Sequence, residues 1–176
     1  GSSSHQDLLV GAPFYEVRAA NTENPQVSQA GAVFVFHSRS LTSGNGQTSA
    51  GTVTITQPDG MWLSDSPTPY EWFGRSMRVE SVDNQRMLFV GAPGYKDGDN
   101  SMAGKVYGFN LDKGTSQAHH LAFSVIGSEK FQQLGNTISA GQVMGDGKNY
   151  LVASAPSQVR TTAPLVLARR IKCNKA

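Results

Sequence analysis

The chain has 176 residues, 38% of them hydrophobic and 16% charged, and a formal net charge of +2. This is a globular composition, neither collagen-like nor disordered, and its basic residues are scattered until the stretch from Arg169 to Lys175, so nucleic acid is not an expected partner. A single cysteine, Cys173, excludes an internal disulfide framework and a cysteine-built zinc site, and no run approaches the roughly 20 apolar residues of a membrane-spanning helix.

The first residues, Gly1-Ser-Ser-Ser-His5, lack an initiating methionine and the charged-then-apolar order of a signal peptide, and read as the start of a segment cut from something longer. Asp7-Leu-Leu-Val-Gly-Ala-Pro-Phe-Tyr15 is an apolar run closed by a proline, as expected of a strand covered on both faces and stopped where the ladder loses an N–H. Ala30-Gly-Ala-Val-Phe-Val-Phe36 supplies its partner. Trp72-Phe-Gly-Arg-Ser-Met77 then leads into an alternating strand over 76–82, and Asp83-Asn-Gln-Arg86 has turn composition. Residues 87–90 are apolar without a break, Pro93 stops the strand, and Asp97-Gly-Asp-Asn100 reads as a solvated acidic turn rather than a metal loop. Residues 105–109 alternate again, Asp112-Lys-Gly114 turns, and 118–126 supplies a fourth strand.

These elements repeat. Gly11 and Gly91 are 80 residues apart, Ala30 and Ala103 are 73 apart, Gly91 and Ser154 are 63 apart, and Gly74 and Gly135 are 61 apart, so the unit is about 60 to 80 residues with variable loops. No long segment shows a helical period. Four antiparallel strands per unit, radially repeated, predict an all-β chain: a β-propeller fragment of two to three four-stranded blades that does not close a ring by itself. The units divide the chain into a partial blade over 1–70 that starts inside the repeat, a blade over 71–128, a partial blade over 129–160 and a divergent basic tail over 161–176. The apolar strand lies inside each sheet between neighbouring blades, and the small Gly91 and Ala92 predict a close approach of backbone to backbone.

Phe73-Gly74 followed by Gly91-Ala92-Pro93, with Gly11-Ala12-Pro13 in the preceding unit, resembles the FG-GAP repeat of integrin α-chain heads and of glycosylphosphatidylinositol-specific phospholipases D. The stretches Trp72-Phe-Gly-Arg-Ser76, Val82-Asp-Asn-Gln85 and Gly104-Lys-Val-Tyr-Gly108 are more similar to the phospholipase family. The resemblance implies a secreted, extracellular hydrolase that cuts the inositol-phosphate linkage of lipid anchors with a zinc domain lying outside this sequence. The present segment would then be scaffold or recognition surface, its partners the remaining blades, the catalytic domain, and GPI-anchored proteins or a lipoprotein or membrane surface. The alternative is an integrin-α-like adhesion propeller that binds a protein.

No catalytic residue is expected within the segment. Its histidines are His5, His37, His119 and His120, and the adjacent pair would point to opposite faces of a strand, which does not suit one metal. Calcium is the cofactor to weigh, because many repeats of this family carry an Asp-rich loop before the Gly-Ala-Pro strand. Asp7 is the position of that loop's last carboxylate, Asp83-Asn-Gln-Arg86 is too short, and Gln142-Val-Met-Gly-Asp-Gly-Lys-Asn-Tyr150 keeps only Asp146 and Gly147, so only Asp7 and Asp146 are left as metal positions. Phe34, Phe36, Tyr107 and Phe109 have core spacing, and Trp62 and Trp72 flank Pro67-Thr-Pro69 as packing or contact residues.

Overall fold

The apolar run closed by Gly-Ala-Pro is the second strand of the repeat unit in a computed structural model, which describes residues 7–18, 26–38, 46–49, 52–55, 57–113, 121–156 and 165–171. In chain order the strands are β1 Leu8–Ala12, β2 Val17–Arg18, β3 Gln26–Val27, β4 Ala32–Phe36, β5 Gly46–Ser49, β6 Thr52–Ile55, β7 Gly60–Trp62, β8 Ser76–Val82, β9 Gln85–Ala92, β10 Lys105–Asn110, β11 Leu121–Ile126, β12 Ile138–Gly141, β13 Tyr150–Ala155 and β14 Leu165–Arg170. They form three separate antiparallel sheets, β1-β4-β7, β8-β9-β10-β11 and β12-β13-β14, with the ribbons β2-β3 and β5-β6 added. One 3-10 turn, Leu111–Lys113, follows β10. The chain is therefore all-β, a set of small sheets without a closed barrel among the described residues, as a propeller fragment requires.

The sequence repeat is also a repeat of register. Gly11 lies opposite Val33, Gly91 opposite Val106 and Ser154 opposite Val166, so the same pair of repeat positions meets in all three sheets. The second sheet has the full set of four strands. Its β8–β9 hairpin turns on two residues, Asp83 and Asn84, both at positive φ (49° and 62°), the conformation that matches the twist of the flanking strands and that Asp and Asn tolerate. The segment read as a divergent tail contributes β14, paired with β13 over Tyr150↔Arg170 to Ala155↔Leu165. Backbone pairing to β13 sets that register without the Ala-Gly-x-Val-Tyr pattern of the preceding units, and Ile171 behind it is buried. His5, His119, His120 and Cys173 lie outside the described residues.

Side chains on alternating positions of β9 go to two different cores. Leu88, Val90 and Ala92 pack with Val33, Val35 and Trp62 of the first sheet, whereas Met87 and Phe89 pack with Leu151, Ala153 and Ala155 of the third. All of these β9 side chains are at most 1% exposed, which is why the run has no polar face. Tyr107 and Phe109 are buried as expected, but their repeat equivalents Phe34 and Phe36 are only half-buried. They share the far face of the first sheet with Leu8 and Val10, which are 47% and 39% exposed. Trp62 belongs to the core. Trp72 is half-buried at φ 60°, its indole N–H donating to Gln29 Oε1 at 3.1 Å.

Candidate functional site

The residues that carry the repeat converge on the junctions between sheets. In the second sheet the Gly74 N–H donates to the Gly91 carbonyl at 3.1 Å, and in the third the Gly135 N–H donates to the Ser154 carbonyl at 3.0 Å. Between sheets, a Cβ on Gly11 would overlap the Gly74 carbonyl oxygen, and a Cβ on Gly91 would overlap that of Gly135. Gly74 is thus wedged between the Gly-Ala-Pro glycines Gly11 and Gly91, and Gly135 between Gly91 and Ser154, giving a column Gly11, Gly74, Gly91, Gly135. Backbone contact this close leaves no room for a side chain, and this is the approach the small residues predicted.

The column ends differently from the way it runs. Ser76 Oγ donates to the Gly135 carbonyl at 2.7 Å, closing the contact between second and third sheets. Thr137 is the repeat equivalent of Ser76, and its hydroxyl instead donates to Ser154 Oγ at 2.8 Å, with the Thr137 N–H pointing to the same oxygen at 3.1 Å. Ser154 stands at a Gly-Ala-Pro glycine position, so its hydroxyl supplies the acceptor that a following Phe-Gly carbonyl supplies elsewhere.

Around the column, a second set of backbone bonds recurs at both junctions. Phe73 donates to the Ala30 carbonyl at 2.9 Å and Leu134 to that of Ala103 at 3.1 Å, while Trp72 reaches Gln29 at 3.2 Å and Gln133 reaches Met102 at 2.9 Å. Tyr70, Trp72, Phe131 and Gln133 all sit at φ between 54° and 61°, an unfavourable region for non-glycine residues that both loops adopt at the same positions. After each Gly-Ala-Pro run, Pro13 and Pro93 start a turn in which Tyr15 bonds the Ala12 carbonyl at 3.0 Å and Tyr95 that of Ala92 at 3.1 Å.

The first junction also buries charge. Glu71, with no exposed surface, accepts from the Tyr107 hydroxyl at 2.6 Å, from Ser64 Oγ at 2.9 Å and from the Thr68 N–H at 3.1 Å. Desolvation raises the Glu71 carboxyl above its usual range, opposed by the Tyr107 hydrogen bond and, more weakly, by the Lys105 charge. Burial and then the Glu71 charge push the Tyr107 hydroxyl upward, so it stays a donor. Lys105 is 4% exposed, holds Asp65 at 3.1 Å and lies 4.3 Å and 4.7 Å from the ring centres of Tyr107 and Tyr95. At the same offset before the next Phe-Gly position stands Gln132, also buried, whose Oε1 accepts from the Ser128 and Glu129 N–H groups at 2.7 and 3.3 Å. Both side chains hold the loop that leads into their sheet. Glu71 and Gln132 occupy one repeat position, which is a signal in the sequence, but only the packing brings Ser64, Tyr107 and Lys105 to the carboxylate.

The two acidic positions considered for calcium are apart and internally engaged. Asp7 pairs with His37 Nδ1 at 3.2 Å and accepts from the Ser38 N–H at 3.2 Å. Asp146 accepts from the Tyr150 hydroxyl at 2.8 Å and the Lys148 N–H at 3.0 Å, and pairs with Lys148 Nζ at 3.1 Å. Desolvation opposes its ionisation, yet these partners win and hold its carboxyl at about 2. Among the described residues no three His, Cys, Asp or Glu side chains are grouped to hold a metal ion. Asp97 and Asn100 bond each other's backbone at 3.2 and 2.8 Å around Gly98, making the acidic loop a tight turn.

No family model matches the chain. It is 26% identical over 167 residues to human phosphatidylinositol-glycan-specific phospholipase D, and 25% identical over 168 residues to the bovine protein, in both cases over 88% of this chain. The chain is a distant homologue of that phospholipase. The mouse protein of the same name is 25% identical over 117 residues, 58% of the chain. The chain spans 18% of the length of the human and bovine relatives, so the matched region is a minor part of each. No helix among the described residues is long and apolar enough to cross a membrane.

Proposed function

We propose that this chain is part of the FG-GAP propeller of a secreted phospholipase D that hydrolyses the inositol-phosphate linkage of glycosylphosphatidylinositol anchors. In this reading it serves as scaffold and recognition surface for a zinc catalytic domain elsewhere in the polypeptide. The observation that carries the reading is the similarity over 88% of this chain to phospholipases of which it spans 18%. The way the polar groups are used supports it. Glu71, Tyr107, Lys105, Ser76 and Thr137 bond within or between the sheets of this chain, as the side chains of a structural module do. GPI-anchored proteins, displayed at a membrane or lipoprotein surface, are the substrates this reading assigns to the whole protein, and hydrolysis belongs to metal-activated water held by residues outside this chain. No observation favours the adhesion-receptor alternative.

The test compares the full-length protein containing this segment with the segment alone, assaying release of a GPI-anchored reporter from lipid vesicles. The full-length protein should release it and lose that activity when zinc is chelated, and the segment should release none. A full-length protein without this activity, or a segment that cleaves on its own, would overturn the reading.

A further inference from the structure

Three Asp-Gly pairs lie among the described residues: Asp59-Gly60, Asp97-Gly98 and Asp146-Gly147. Such a pair is chemically reactive because glycine, having no Cβ, lets its own amide nitrogen approach the carboxyl carbon of the preceding aspartate. The fold treats the three differently. Asp59 accepts from the His37 N–H at 2.7 Å, and its own N–H donates to the Val35 carbonyl at 2.8 Å where β7 begins. Asp146 holds the Lys148 N–H at 3.0 Å, the Tyr150 hydroxyl at 2.8 Å and Lys148 Nζ at 3.1 Å. At the third pair, neither the Asp97 carboxylate nor the Gly98 N–H has a hydrogen-bond partner among the described residues. Both residues are exposed, Gly98 sits at φ 53°, and a Cβ built on it would meet nothing within 4 Å beyond its chain neighbours.

We propose that Asp97-Gly98 is a site of spontaneous covalent modification, the isomerisation of Asp97 to isoaspartate with water as the only co-reactant. The Gly98 nitrogen attacks the Asp97 carboxyl carbon, and the OH of the carboxylic acid leaves with the amide proton as water, closing a succinimide ring. Water then adds at the main-chain carbonyl of residue 97 and breaks its bond to the Gly98 nitrogen. The chain now runs through the former side chain, and a carboxylate is left on the Cα. One water leaves and one enters, so mass and oxidation state are unchanged. The extra main-chain carbon cannot keep the paired Asp97 and Asn100 bonds of 3.2 and 2.8 Å. The same loop, closed at its base by the Gly104 N–H on the Tyr95 carbonyl at 3.1 Å, offers the Ser101 and Met102 carbonyls to Phe131 and Gln133 at 2.8 and 2.9 Å. Isomerisation therefore loosens the junction between the second and third sheets. The chemistry needs only this loop and water, so it does not depend on the phospholipase reading.

The test incubates the full-length protein containing this segment in mildly acidic water enriched in oxygen-18, once folded and once unfolded in urea, and follows the three Asp-Gly peptides by proteolysis and mass spectrometry. In the folded protein the Asp97 peptide should accumulate isoaspartate and take up the heavy oxygen at least about tenfold faster than the Asp59 and Asp146 peptides, the factor that corresponds to breaking one hydrogen bond to a charged group before attack. In urea the three rates should converge. Amide hydrogen exchange at Phe131 and Gln133 should be faster in the isomerised protein than in the fresh one. Equal rates at the three pairs in the folded protein, earlier reaction at Asp59 or Asp146, or the same selectivity in urea would each overturn the proposal, and unchanged exchange at Phe131 and Gln133 would overturn its link to the junction.

Discussion

The two junctions between sheets share a backbone arrangement and differ in the aromatic and polar side chains around it. Where the second sheet meets the first, Phe73 stands edge-on to Tyr107 at 5.2 Å and to Phe109 at 6.1 Å, Trp62 meets Phe109 at 5.3 Å, and the polar network of Glu71 and Lys105 lies alongside. Where the third meets the second, Leu134 replaces Phe73, Gln132 replaces Glu71, and Met87 and Phe89 of the second sheet pack on Leu151, Ala153, Ala155 and Ile171. The bonds from Phe73 to Ala30 and from Leu134 to Ala103 are nonetheless alike, at 2.9 and 3.1 Å. Backbone contact through the glycine column therefore fixes how one sheet docks on the next, and the side chains fill the volume it leaves.

That comparison can be broken at several points. Phe73→Ala should cost about 3–5 kcal/mol, because an aromatic ring with no exposed surface leaves both transfer energy and a cavity behind, whereas Leu134→Ala should cost about 2–4 kcal/mol because the side chain removed is smaller. Chemical denaturation of the two variants gives the ranking. Glu71→Leu should cost about 2–3 kcal/mol by orphaning Tyr107, Ser64 and the Thr68 N–H, and should exceed the cost of Gln132→Leu, whose partners are two backbone N–H groups. Glu71→Gln sharpens the comparison, since it gives the first junction the residue that the second already has.

The sign of that last effect follows from burial. The folded-state value of Glu71 lies above the ordinary carboxyl value of 4.5, so between the two the folded chain keeps a proton that the unfolded chain has released. This group's contribution to stability therefore falls as pH rises from about 4.5 through the folded value. Glu71→Gln has no proton to lose. Melting curves from acidic to mildly alkaline pH should show the variant gaining on the parent as pH rises, and a constant difference would mean that the carboxyl is not shifted by its site.

Much of the fold is legible in the sequence. The alternation over 76–82, the apolar run over 87–90 and the alternation from residue 105 are β8, β9 and β10 because their periodicity matches a strand with one or two covered faces. β14 is not legible, because its residues do not repeat the pattern of the preceding units and its place depends on main-chain pairing with β13. The β5-β6 ribbon is equally hidden, since Gly46–Ser49 is polar and carries no apolar period. At the junctions, the Gly-Ala-Pro and Phe-Gly residues can be recognised as a repeat, but that Gly11, Gly74, Gly91 and Gly135 form one column is a property of packing between units. The positive φ of Tyr70, Trp72, Phe131 and Gln133 leaves no trace in residue type, because those conformations are imposed by bonds to the neighbouring unit.

The glycine column is tested most directly by exchanging its interior and terminal residues. Gly91→Ser puts a side chain against the Gly135 carbonyl and should destabilise the chain by more than about 2 kcal/mol in urea denaturation. Ser154→Gly removes only the terminal hydroxyl bonded to Thr137 and should cost at most about 1 kcal/mol. Equal costs for the two substitutions, or a Gly91→Ser chain as stable as its parent, would contradict the claim that backbone contact at these glycines docks one sheet on the next.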